Sequence, residues 1–141
     1  MIGLFICMLL TMPAKANDSP PVHSLSEVHH IYVDSMGHDD EAARFRGLVK
    51  QELTRAGFTI EDNSAKADAI LSGTISIRVL AGYSRAFSDV TLRASDGAAL
   101  WQSAFRPRFW HGKQSGDDVK DRATDIAAKF LQDFKQSTPH H

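Results

Sequence analysis

The chain has 141 residues, with 16 Lys and Arg against 17 Asp and Glu, a formal net charge of −1 and one cysteine. That balance gives no global basic field to draw nucleic acid or an anionic membrane. A lone cysteine excludes a disulfide framework and Cys-rich metal sites.

Ile2 to Met12 is an apolar run of about eleven residues, short of the ~20 that span a bilayer. Pro13 breaks it and Ala14-Lys15-Ala16 follows, the pattern of a secretory signal peptide cut after Ala16. No Lys or Arg precedes the run, so the α-amino group alone charges its leading end. Cys7 lies inside the run behind Ile6, away from the cleavage point, so lipidation is not expected. The expected product is periplasmic or secreted, with no stable membrane span after cleavage. It has about 125 residues, one domain by length and large enough for a core without staples. Residues 17–27, rich in Pro, Ser and Asp, are expected to form a disordered leader.

A single domain is expected over 28–136, followed by a disordered tail at 137–141. Val28 to Val33 is the first strand candidate, with His29 and His30 on opposite sides of it. Asp39 suits a helix N-cap, with Asp40 and Glu41 in the first turn, where the dipole favours negative charge. Phe45, Leu48, Val49, Leu53 and Ala56 form an apolar stripe at helical spacing, and Gly57 ends it. Arg44, Arg46, Lys50 and Arg55 lie off that stripe. Phe58 to Ile60 is a short second strand.

The clearest signal follows. Leu71, Gly73, Ile75, Ile77 and Val79 share one parity, and Ser72, Thr74, Ser76 and Arg78 the other. Val90, Leu92 and Ala94 repeat the pattern against Asp89, Thr91 and Arg93. Period two marks strands with one dry and one wet face, and Asp96-Gly97 marks a tight reversal. Three antiparallel strands are predicted at about 69–80, 84–94 and 99–105. Asp117 then caps a second helix with a stripe of Val119, Ala123, Ile126, Ala127, Phe130 and Phe134. Its Asp118–Arg122 and Asp125–Lys129 pairs are expected to bond at i,i+4. The order β-α-β-β-β-β-α predicts an α+β two-layer sandwich: a mixed sheet of four or five strands with both helices on one face.

No dinucleotide, P-loop, zinc-protease, EF-hand or nucleophile-elbow motif occurs. No catalytic, cofactor-binding or metal-binding residue is therefore assigned, and the chain is expected not to be an enzyme. His23, His29, His30 and His38 fit no ligand spacing. The candidate site is the segment after the last strand, Arg106, Arg108, Phe109, Trp110, His111 and Lys113, where basic and aromatic side chains interleave as at binding hot spots. The plainer alternative is an edge strand whose rings pack inward while the basic residues snorkel.

Leu53-Thr54-Arg55-Ala56-Gly57-Phe58, then Ala67-Asp68-Ala69-Ile70-Leu71-Ser72-Gly73-Thr74-Ile75, then Asp96-Gly97 to Trp101 resemble small exported bacterial α/β domains. These are the amino-terminal domain of TolB, the curli-secretion lipoprotein and the lipoprotein activator of penicillin-binding proteins. The shared signatures are a helix stop, a strand entry and a hairpin, over about residues 28–135. The missing lipobox cysteine departs from the lipoprotein members. The resemblance implies a non-enzymatic envelope domain that binds another protein. A binder of small molecules, glycans or anions through residues 105–113 is the alternative, and an enzyme of unrecognised type the second.

Overall fold

A computed structural model describes residues 22–80, 83–105 and 117–138. The expected signal peptide and the candidate segment Arg106–Lys113 lie outside the described residues. The elements are β1 (His30–Val33), α1 (Asp40–Arg55), β2 (Thr59–Ile60), β3 (Ala69–Leu80), β4 (Tyr83–Ala94), β5 (Ala99–Phe105) and α2 (Asp118–Ser137). The strands form one mixed sheet in the order β2-β1-β3-β4-β5. β1 runs parallel to β2 and β3, while β3, β4 and β5 are successively antiparallel. This is the expected α+β sandwich, and α1 serves as the crossover that parallel strands require.

Period two explains the sheet. Leu71, Ile75, Ala86, Val90, Leu92, Ala94 and Trp101 are buried, whereas Thr74, Ser76, Arg78, Asp89 and Arg93 are exposed. The helices cover the first set. From α1 come Ala42, Phe45, Val49 and Leu53; from α2 come Val119, Ala123, Ile126, Ala127 and Phe130. Phe58 and Trp101 each meet Phe130 edge-on with centroids 5.1 Å apart, a geometry worth about 0.5–1.5 kcal/mol beyond area burial. The Trp101 indole N–H donates to Asp133 at 2.8 Å, which satisfies the buried ring's polar end.

The helix limits follow from local chemistry. Asp39 accepts from the Ala42 N–H at 2.7 Å and Asp117 from the Lys120 N–H at 3.1 Å, so both predicted caps are in place. Past α1, Gly57 takes φ +103°. The Gly57 and Phe58 amides return to Thr54 and Leu53 carbonyls, each at 3.1 Å, closing a Schellman motif.

Three details differ from the sequence expectations. Residues Leu25–Glu27 of the expected leader form a 3-10 turn, and Leu25 and Val28 are buried, because the segment packs its apolar side chains on the core. β1 begins at His30, since the His29 and His30 amides both donate to the Asp68 carboxylate at 3.0 and 2.9 Å. On α2, Arg122 bonds Asp125 and Lys129 bonds Asp133, both at 3.1 Å. The guanidinium lies inward and the lysine reaches toward the Trp101 contact.

Gly73 pairs with Val90 in the β3–β4 ribbon, and a Cβ at this position would lie 2.8 Å from the Val90 Cα. Gly73→Ala is expected to cost about 1–3 kcal/mol, the range for overpacking. Urea unfolding checks this; an unchanged midpoint would show that the ribbon relaxes freely.

Candidate functional site

The described residues nearest the candidate segment are Phe105, which ends β5, and Asp117, which caps α2 four residues after Lys113. Phe105 is the exposed large apolar side chain among the described residues, at 37 %. Over its ring lies the Arg122 guanidinium, 3.3 Å from the centroid. Arg122 is only 7 % exposed. Its Nη1 donates to Asp125 and its Nη2 to the Ala86 carbonyl, each at 3.1 Å. Among the described residues its buried Nε has no hydrogen-bond partner, nor does the buried Ser88 hydroxyl, and Ser88 stands opposite Phe105 in the β4–β5 register. Burial pushes the Arg122 pKa down, against the pull of Asp125, and burial likewise pushes Asp125 up. A planar guanidinium suits this place because it stacks on a ring while its edge forms hydrogen bonds.

Sequence reasoning missed Arg122, although a signal existed. Residue 122 lies three after Val119 and four before Ile126, on the apolar stripe itself.

A second cation anchors the other flank. Arg44 of α1 makes a two-pronged contact with Asp117, Nη1 to Oδ1 at 2.9 Å and Nη2 to Oδ2. The Arg44 bond holds the Asp117 carboxyl down at about 2, helped by the Lys120 amide. The basic side chains of α1 are thus partly spent on structure. Arg46 donates from Nε to the Val33 carbonyl at 2.8 Å and lies 5.9 Å from the Tyr32 ring centroid, and Arg55 bonds Glu52 at 2.9 Å.

The wet strand face is the other candidate surface. Neither helix covers it. Arg78 is exposed, with its guanidinium 4.7 Å from the Phe87 ring centroid. Arg78 and Arg85 face each other directly across β3 and β4.

His30 Nδ1 meets Glu61 Oε1 at 2.8 Å, and no group of three or more His, Cys, Asp or Glu poised for a metal occurs among the described residues. A groove of about 560 Å³ runs between β5 and α2, lined by Ser103, Ala104, Phe105, Asp125, Ile126 and Lys129. It brings no histidine to its serine. No described helix is long and apolar enough to cross a membrane.

These features define a small two-layer α+β domain with one sheet face that no described helix covers. No protein-family model and no curated relative matches the chain. Among solved structures, a dodecameric PelC variant from Paraburkholderia phytofirmans shares the fold, with a TM-score of 0.52 and 18% identity over 86% of this chain and 95% of that one. The likeness shows the fold, and does not single out the TolB, curli or activator-lipoprotein type.

Arg122→Met is expected to unfold within about 1 kcal/mol of wild type or higher, because an apolar isostere removes an unsatisfied buried donor and leaves Asp125 half in water. Arg122→Ala should cost about 2–4 kcal/mol through the void above Phe105. Denaturant midpoints of the two variants check the contrast.

Asp117 predicts a pH dependence. Its folded pKa, about 2, lies below the ordinary 3.8. Its contribution is therefore complete above the ordinary value and is lost as pH falls toward the folded one. Asp117→Asn keeps an N-cap side chain and should flatten the fall of the melting temperature between pH 4 and about 2. An identical slope in both proteins would remove the ion pair from the acid response.

Proposed function

We propose that the chain is an exported, non-catalytic domain of the bacterial envelope that acts by binding protein. One observation carries this reading: among the described residues the sheet is roofed on a single side, so a broad strand face bearing Arg78 and the partly exposed Phe87 ring is left for a partner. Arginine and aromatic side chains are the usual anchors of such contacts. The apolar run closed by Ala14-Lys15-Ala16 supports export. A shared fold with a dodecameric protein agrees with a role in binding protein. Arg106, Arg108, Phe109, Trp110, His111 and Lys113 follow β5 in the sequence, and their basic-aromatic composition supports the same reading.

The groove beside Phe105 favours a second reading, a site for a small anion or glycan. Its volume of about 560 Å³ falls in the range of ligand pockets.

Expression in a bacterial host tests export: mass spectrometry of the purified protein should find Asn17 at its amino terminus, and a retained Met1 would remove the signal. Affinity purification from envelope extract then tests binding. Wild type should hold a partner that the Arg108→Ala/Trp110→Ala variant loses. Equal recovery by both would take the 106–113 segment out of the account. A rise in melting temperature with cell-wall fragments or simple anions, with no protein retained, would favour the second reading.

A further inference from the structure

The sheet has two edges. β2 closes one side with two residues, Thr59–Ile60, and β5 closes the other with seven, Ala99–Phe105. No strand lies beyond β5 among the described residues. Alternate residues of an edge strand turn their N–H and C=O groups away from the ladder, and proteins ordinarily guard such an edge with charge, proline or brevity. β5 reads ALWQSAF and carries neither charge nor proline. A register shift leaves Leu100 without an opposite residue, and from Trp101 to Phe105 the pairing with β4 is regular. The exposed Phe105 ring stands at the end of this stretch.

α2 runs beside this edge in a fixed alignment. Trp101 meets Phe130 with centroids 5.1 Å apart and donates to Asp133 at 2.8 Å, while the Phe105 centroid lies 3.3 Å from the Arg122 guanidinium. α2 is therefore antiparallel to β5. The strand rises ~14 Å from Trp101 to Phe105, and the helix rises ~12–16 Å from Arg122 to Phe130 and Asp133. Ser103, midway along the strand, thus stands level with residues 126–128. The two flanks of α2 differ. Thr124, Ala127 and Leu131 turn to α1 in the groove they share with Glu52 and Arg55. Asp125, Ile126 and Lys129 turn to β5 in the groove of about 560 Å³. The Asp125 and Lys129 side chains are 54% and 55% exposed, one on each side of the level of Ser103. Asp125 gives one oxygen to Arg122, and Lys129 one bond to Asp133. The second carboxylate oxygen and two further ammonium donors are left for other contacts.

We propose that β5 pairs with β5 of a second copy, antiparallel about a twofold axis at Ser103, so that the five-stranded sheets of the two copies become one. Charge complementarity selects this occupant. Residues just before and just after a twofold axis exchange neighbours, so an axis at this level sets Asp125 of each copy opposite Lys129 of the other. The strands then pair Trp101 with Phe105 of the second copy, and the exposed ring gains a cross-strand aromatic neighbour. α2 reaches both β4 and β5. Its axis therefore lies about one strand spacing, ~4.8 Å, from the twofold, which brings the two copies of the helix to the roughly 8–10 Å of packed helices. The contact is isologous and closes as a dimer. It uses the sheet edge and leaves the uncovered strand face of both copies free for the protein-binding role, so the two readings stand or fall separately.

Sedimentation velocity and native mass spectrometry of the purified protein should show a dimer that dissociates on dilution. Lys129→Glu sets an acid opposite Asp125 of the second copy and should raise the dissociation constant about tenfold or more. Adding Asp125→Lys to that variant reverses both signs and should restore the wild-type constant, which a purely structural role of Lys129 would not allow. Far-ultraviolet circular dichroism confirms that each variant is folded. Cross-linking reads the register, in a Cys7→Ser background that removes the native thiol. Ser103→Cys should form an intermolecular disulfide with diamide, because directly opposite Cα atoms lie ~4.5–5.5 Å apart, within disulfide reach. Ala99→Cys would lie ~27 Å from its copy and should stay reduced. A wild-type chain that stays monomeric overturns the proposal; if it still retains an envelope protein, the protein-binding reading survives. A dimer indifferent to Lys129→Glu, one in which Ser103→Cys fails to cross-link, or one in which Ala99→Cys cross-links as readily overturns the β5 edge as the contact. Cross-linking of Ser103→Cys to another protein in envelope extract, with no dimer formed, assigns the edge to a foreign strand and also overturns it.

Discussion

Phe130 meets Phe58 and Trp101 edge-on, with both centroids 5.1 Å away. Through these rings one side chain joins the exit of α1, the edge strand β5 and α2. Beside it, Val119, Ile126 and the Arg122 contact hold the amino-terminal half of α2 to the sheet, and Phe134 adds a second edge-on contact to Phe58. The remaining architecture follows from this contact. Because α2 is seated there, its amino-terminal half lies over β4, where Arg122 reaches the Ala86 carbonyl. Because α2 and α1 lie on the same side, neither helix covers the opposite strand face.

Most of the fold was legible from the chain, for reasons that can be named residue by residue. Ile75, Val90 and Leu92 alternate with Thr74, Asp89 and Arg93, and only a half-buried strand satisfies that alternation. Asp39 and Asp117 announced helix starts because a short acceptor side chain satisfies an orphan amide. Leu25 and Val28 were not legible as core, since a two-residue contribution has no period. Arg122 was hidden for the opposite reason. It fits the apolar period, but a charged residue is ordinarily assigned to solvent, and only the Phe105 ring and the Ala86 carbonyl make its burial acceptable. The choice of Asp125 over Asp118 as its hydrogen-bonded acid depends on the inward tilt of the side chain, which spacing does not encode.

The candidate site was legible in part. The basic-aromatic composition of 106–113 is plain in the sequence, but composition cannot say which side of a sheet it serves. The described flanks show that Phe105 is already engaged by Arg122, and that Asp117 is engaged by Arg44. The cross-strand position of Arg78 and Arg85 was equally beyond spacing, because it requires the register of a twelve-residue ladder rather than the parity of either strand.

Asp68 carries a consequence for how the sheet comes together. One of its carboxylate oxygens receives two consecutive amides, those of His29 and His30, and its own amide returns to the His30 carbonyl at 2.8 Å. The first rung between β1 and β3 therefore combines a side-chain clasp with a backbone bond. If β1 slid by one position, the clasp would grip a single amide, and Ile31 and Val33 would turn away from the oil side into water. The parallel half of the sheet thus bears its own alignment mark, placed where the chain must find a segment nearly forty residues away.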